Sequence, residues 1–434
     1  MSRCAIQFLR QGLPRAIRRT MLFACLLPGI SVAAGNAIEL LIDEAIARHP
    51  LMKSQQAMSQ AAAAGVEGAR WQYYPTPTVS IEKAQVNQND PSYTGDKQVA
   101  VVGLRQPLWT GGRLDAGLAK AQANALKGEA SLAEARQQLS IRVIQGYGEW
   151  LTAAEKQKVY ESGLLLHRQM KELVQRRVKE GQSAPSDLTL AEERLAAMEA
   201  ESIAALTQAH TGLSRLSLLV GRTVTPDDLF RNPAQVRQLS QPLAELLRQA
   251  EAGSPLLARY RALAQIQQAI IDERKADSWP EVHARLERQS GNYSVAGRSA
   301  ETRVFVGVTT RLGAGLSTQS SIAEAISQYE SAVAEIDVQQ HSLNEQIMVD
   351  HTLLVQSEPR RNALREANEM SKRVLQSWDR QFLSGRKSWQ DLMNSAREQV
   401  QMEVQIADLD ASRLVASWRI SILTEPFSAL SRAP

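Results

Sequence analysis

Six histidines, His49, His167, His210, His283, His341 and His351, are the side chains best placed to bind a metal or pass a proton near neutral pH. They are scattered. No two stand four residues apart on a helix and no HExxH occurs, so their spacing predicts surface residues and no metal site. A serine nucleophile would need a GxSxG turn, and a phosphate cradle a glycine loop followed by GK[ST]; neither is present. Gly111-Gly112 reads instead as a strand-to-helix turn. Asp and Glu are plentiful but interleaved with Lys and Arg, as on a solvated helical face. This chemistry predicts neither an enzyme nor a cofactor.

Charge and cysteine usage depend on the first 34 residues. They carry Arg3, Arg10, Arg15, Arg18 and Arg19, no acid, an apolar run from Met21 to Val32, and then Ala33-Ala34-Gly35. This predicts a secretory signal peptide over 1–34. A lipoprotein box at Leu22 to Cys25 competes, but few apolar residues precede Cys25 and the apolar run continues past it. Removing the five arginines leaves 45 basic residues of the original 50 against 46 acidic ones, about −1 instead of +4. A mature chain of that charge offers no nucleic-acid surface. Both cysteines, Cys4 and Cys25, leave with the segment, so the exported chain is expected to hold no thiol and no disulfide.

The elements that follow come in two copies. Gln98 to Ala123 and Arg303 to Gln328 each run from β-branched residues through a glycine turn into an alanine-rich helix, and Leu108 aligns with Leu312, Ala119 with Ala323 and Ala121 with Ala325. The offset is 204 residues (108 to 312). Gly181, Asp187 and Leu188 answer Gly385, Asp391 and Leu392 at the same offset, and Trp71 answers Trp279 close to it. A repeat of about 200 residues is too long for a solenoid and fits two fused αββα units. The expected division is 35–220, a linker over 221–241, 242–424, and a tail over 425–434.

Within each unit the longest signal is helical. From Leu108 to Ala184 there is no proline, and Leu118, Ala121, Ala125, Leu132, Ala135, Leu139 and Val143 keep a spacing of three and four. Helices over about 113–179 and 317–383 would each be on the order of 100 Å long. That length suits a coiled-coil-like assembly. Pro359 lies inside the second and predicts a kink near 355–358. Gly181 ends the first long helix, with Ser186 and Asp187 as candidate caps for the next.

Strands are expected at about 78–86, 98–104, 281–289 and 303–310. Val282, Ala284 and Leu286 face one way, and His283, Arg285 and Glu287 the other. Such strands fit a half-exposed sheet or a transmembrane barrel with a wet lumen. The segment after the signal contains no apolar run of about 18 residues, so only a barrel could span a membrane. One chain has too few strands to close one, since about 8 are needed. Two chains would supply 8 and three would supply 12, and a lumen wide enough for cargo favours the larger number.

The assembled order resembles the TolC family of outer-membrane efflux and secretion proteins. The residues that carry the resemblance are QPLWTGGRLDAGLAKAQA (Gln106 to Ala123), its counterpart from Arg311 to Ser327, and the turns KEGQSAPSDLTLAEERL (Lys179 to Leu195) and LSGRKSWQDLMNSARE (Leu383 to Glu398). The resemblance implies a mainly α homotrimer whose long helices form a periplasmic α-barrel. Its four strands per chain complete a 12-stranded β-barrel in outer-membrane lipid. It implies passive export, with a periplasmic adaptor protein and an inner-membrane ABC transporter, or another pump if the system is an efflux system.

The same resemblance assigns residues. Gly181, Ser183 and Asp187, with Gly385, Ser388 and Trp389, would form the adaptor-docking turns at the periplasmic tip; Pro107, Gly111, Gly112, Gly313 and Gly315 would form the strand-to-helix turns. Family members often carry two aspartates one turn apart at the constriction. Asp391 matches the first and Asn394 stands at the second, so the ring is expected to be less negative. Arg386 and Lys387 match basic positions that hold the tip closed. Read without the family, Asp391 is a helix cap and the two cations are solvated turn charges. The turn around Trp389 is similar to the outer components of type I systems that export adhesins; drug efflux, and a non-channel coiled-coil spacer, are the alternatives.

Overall fold

In the computed structural model, residues 36–85, 90–231, 233–310, 314 and 317–425 are described. The expected signal peptide, Gly313, Gly315 and most of the tail lie outside them. The first copy runs α1 (Ala37–Arg48), α2 (Pro50–Trp71), β1 (Thr76–Lys83), β2 (Gln98–Trp109), α3 (Arg113–Lys179) and α4 (Pro185–Val220). After the short α5 (Pro226–Phe230) the second runs α6 (Leu243–Gly253), α7 (Pro255–Ala276), β3 (Glu281–Ser290), β4 (Glu301–Thr309), α8 (Ser317–Leu383) and α9 (Trp389–Thr424). The long helices α3 and α8 have 67 residues each, and α4 and α9 have 36 each. Both pairs are offset by 204 residues (113 to 317, 185 to 389).

Two expectations about boundaries need correction. Pro107 was expected in the turn but lies inside β2, where the register shifts between Pro107 and Trp109. A residue without an amide donor is accommodated at such a bulge. The turn itself is Gly111 and Gly112, both in the left-handed region, with Gly112 capping α3. Ser186 and Asp187 do not cap α4, because Pro185, preorganised for a first helical position, moves the cap to Ala184. Pro359 lies inside α8, as expected.

The core lies along the helices in three clusters. In the largest, Ile38, Leu41 and Ile42 of α1 meet Leu139, Val143, Ile144, Tyr147 and Trp150 of α3, Leu216 and Val220 of α4, and Trp418 of α9. Fully burying such side chains stabilises by about 1.5–3 kcal/mol each. Gly212 lets α4 approach α3 closely, since a Cβ there would stand 3.1 Å from Trp150 Cα. Arg237 ties the linker to α1 and to the end of α9: it donates to Glu39 (2.7 Å) and Glu425 (3.0 Å) and lies 4.3 Å over the Trp418 ring. The other clusters join α6 and α7 to α8 and α9, and pack the far ends of α3, α4, α8 and α9.

The four strands form one antiparallel sheet in the order β1-β2-β3-β4. Its centre is the pairing of β2 with β3, which joins the two repeats through Leu104↔Leu286 and Arg105↔Arg285. Among the described residues β1 and β4 are the free edges.

Candidate functional site: an amphipathic sheet and a helical tip

Directly paired residues share a face of a sheet. The pairs Val79↔Val102, Leu104↔Leu286, Leu286↔Val304, Ala284↔Val306 and Val282↔Val308 therefore form one apolar face. It is open: Val79 is 72% exposed, Val306 71% and Val308 68%. The opposite face carries Arg105, Glu281, His283, Arg285, Glu287 and Arg303, with ion pairs Arg105–Glu281 and Arg285–Glu287, each at 3.1 Å. An isolated sheet in water would not leave its apolar face bare, whereas a barrel wall between lipid and a wet lumen needs this distribution.

Aromatic side chains mark the helical end of the sheet. Trp71 and Tyr74 pack at 5.1 Å and Trp109 and Trp279 at 6.3 Å, and all four are exposed. In a membrane barrel, aromatic rings at the strand ends form the interfacial belt. Sequence reasoning used Trp71 and Trp279 only as markers of the repeat. Their clustering beside the strand ends was the available signal.

At the other end, α3 and α8 stop in the same way. Gly181 and Gly385 have φ of 71° and 75°, and the next residues, Gln182 and Arg386, donate their amides to Arg177 O (2.8 Å) and Gln381 O (2.9 Å). A left-handed residue closes each helix, and glycine takes that conformation without strain. Ser183 and Asp187 are partly exposed beyond the first turn. In the second, the Ser388 hydroxyl accepts from Asp391 N at 3.1 Å and is the cap of α9. Asp391 is therefore a first-turn acid and not the cap itself.

The charges of this turn interact. Lys387 Nζ lies 3.6 Å from the Asp391 carboxylate and 4.1 Å from the Trp378 ring centre. The Ser388 hydroxyl, and then Lys387, hold the Asp391 carboxyl below its ordinary range. Asn394 and Arg386 are exposed. Trp389 is only 3% exposed, packed 5.4 Å from Phe382, so it shapes the tip core and is no free docking side chain in the protomer. The sequence reading missed Arg177. Its Nη1 donates to Phe382 O at 3.4 Å, and its guanidinium stands 4.7 Å over the Phe382 ring.

The histidines need one correction. His167 is 1% exposed, between helices at the lower end of α3, and its Nδ1–H donates to Gly163 O at 2.8 Å. Among the described residues no cluster of metal-ligating side chains occurs, and no helix is long and apolar enough to cross a membrane.

Residues 41–222 match the family of outer membrane efflux proteins. A comparison with curated protein sequences finds no match. Among solved structures, the outer membrane protein VceC of Vibrio cholerae is 16% identical with a TM-score of 0.77, over 90% of this chain and 96% of that one. The CmeC channel of Campylobacter jejuni is 15% identical with a TM-score of 0.75, over 89% of this chain and 85% of that one. The open MtrE channel of Neisseria gonorrhoeae is 16% identical with a TM-score of 0.73, over 89% of each. At such identity these likenesses establish the fold. The family match covers the first repeat, whose order of elements the second repeats, and in sequence and fold the chain is similar to outer-membrane efflux proteins.

Proposed function

We propose that three copies of the chain form one duct and that it carries a protein cargo as the exit of a type I secretion machine. TolC-family proteins are outer-membrane exit ducts of tripartite systems, trimeric and without enzymatic activity. The observation that carries the assembly is the pair of free edges on a sheet with one bare apolar face. β4 of one copy would pair with β1 of the next, and three sheets of four strands close at 12, removing every edge. The helices have matching needs. Ile203 and Leu218 on α4, and Val338, Val349 and Val355 on α8, are exposed in the single chain and would be covered by neighbours.

The tip at Gly181 and Gly385 would be the closable end, facing the periplasmic adaptor and the inner-membrane ABC transporter. Asp391 and Asn394 would lie at the constriction, with Arg386 and Lys387 beside them. Asp391→Ala should then raise leak conductance and reduce cation preference in a planar bilayer. Unchanged conductance would leave Asp391 a first-turn acid only.

Type I secretion is supported by the turn GRKSWQDLMNSARE. Small-molecule efflux is the second reading, favoured by the family description itself. Deleting the gene separates them. Loss of a large secreted or surface protein with unchanged tolerance of toxic small molecules supports the first; the reverse supports the second.

A further inference from the structure

The outer ends of the two hairpins are joined by contacts that the export reading does not use. The loop before β2 and the loop after β3 belong to different repeats, yet Gly95 N donates to Tyr293 O at 2.6 Å and Asp96 N to Asn292 O at 2.7 Å. These bonds continue the pairing of β2 with β3 past its last partners, Ala100 and Ser290. The Asp96 carboxylate then uses both oxygens. Oδ2 accepts from Asn292 N at 2.9 Å and Oδ1 from Gly297 N at 3.1 Å. Thr94 Oγ1 donates to Ser294 O at 2.8 Å, Ser294 Oγ to Ser92 O at 3.1 Å, and the Tyr93 and Tyr293 rings pack at 5.4 Å.

We propose that Asp96 keys the segment before β2 to the loop after β3, so that the two hairpins of each chain are locked together at the outer rim. This rests on the exit-duct reading for its place in the membrane. Polar loops of composition GNYSVAGRSAE are by default among the least stable parts of a fold and would be free to swing across a barrel mouth. Here each loop is bonded sideways to the other, along the sheet. Charge-assisted bonds from two backbone amides to one carboxylate are stronger than neutral ones, and they bridge the loop from Asn292 to Gly297. The Asp96 carboxyl is accordingly held below its ordinary range by those two amides. Gly95 is required at the crossing, because a Cβ there would collide with Asn292 O and the Val295 backbone. Asp96 is a positioning residue, and an asparagine could offer only one of its two acceptors.

Trypsin reads the rim directly, since Lys97 and Arg298 flank the knot. In the purified full chain in detergent, wild type should resist cleavage at both sites. Asp96→Ala should be cut there about tenfold faster, because local opening sets protease access. Asp96→Asn should fall between, and cleavage at the tip after Arg176 and Lys179 should not change. If Asp96→Ala proves unfolded, Thr94→Ala with Ser294→Ala replaces it, with faster cutting at Lys97 and Arg298 expected again. Equal rates in wild type and variant would overturn the rim. The exit-duct reading is tested separately: residues 35–434 contain no cysteine, so Ser299→Cys gives a single thiol. Its labelling by an impermeant maleimide on intact cells is expected. Failure to label would refute the membrane placement while leaving the trypsin comparison decisive for the knot.

Discussion

Arg177 at the end of α3 binds the end of α8 through Phe382: its Nη1 donates to Phe382 O at 3.4 Å and its guanidinium covers the ring at 4.7 Å. A cation placed on the last carbonyls of a helix answers the negative end of its dipole, and here the cation comes from the other repeat. The two hairpins of one protomer are thereby tied at the tip.

Arg177→Ala removes that tie. Interactions of this kind contribute about 0.3–1 kcal/mol each, so three chains together supply roughly 1–3 kcal/mol to the closed tip. The expected outcome is a rise in open probability of roughly tenfold in bilayer recordings, since 1.4 kcal/mol is a factor of ten. Arg177→Lys, which keeps the charge but loses the planar fork, should fall between. Unaltered gating in both variants would make Arg177 a packing residue only.

The two faces of the sheet should respond oppositely to charge. Val306→Arg places a cation on the lipid side, where it costs about 2–4 kcal/mol near the bilayer midplane. Glu287→Arg, on the ion-paired face, should leave assembly intact and change ion selectivity. The yield of heat-stable oligomer in extracted membranes checks the first, and reversal potential in a salt gradient checks the second. Equal loss of oligomer in both variants would mean that the faces are not lipid and lumen.

An ion pair with a buried carboxylate and a partly exposed guanidinium joins α8 to α9. Arg419 Nε donates to Asp350 Oδ2 at 2.6 Å, and Asp350 is only 1% exposed. Asp350→Ala leaves the partly exposed guanidinium without its partner, which costs about 1–3 kcal/mol. Thermal unfolding should show the loss, and the double change Asp350→Leu with Arg419→Met should recover most of it.

His167 predicts a pH dependence of stability. Burial pushes its pKa below the ordinary histidine value, with Arg194 acting the same way and the bond to Gly163 O opposing. The unfolded chain protonates there at about pH 6.5 while the folded chain does not. Below that pH the unfolded state binds the extra proton, so stability falls as pH drops from about 6.5 toward the lowered folded value. His167→Gln should flatten the melting temperature over that interval. An unchanged slope would show that the dependence arises elsewhere.

The long elements were legible because their signals repeat over many residues. Gly181 and Gly385, matched at one offset, fixed both tips, and the proline-free run beginning at Leu108 fixed α3. What escaped depends on contacts between segments far apart in sequence. The Arg177–Phe382 tie spans 205 residues and the Thr94–Ser294 bond spans 200, and no local pattern encodes either. Pro107 escaped for a different reason: proline usually ends a strand, and only the bulge before Trp109 allows β2 to include it. His167 was read as a surface residue because its burial comes from packing between helices, which a lone histidine in the sequence does not signal.

The central claim is that three chains share one barrel. Single-channel conductance in a planar bilayer, with the mass of the complex measured in the same detergent sample, tests it most directly. The expected result is a trimer that conducts, with Arg177→Ala or Asp391→Ala opening any trimer whose tip is shut. A monomer that stays soluble without detergent and never conducts would contradict it.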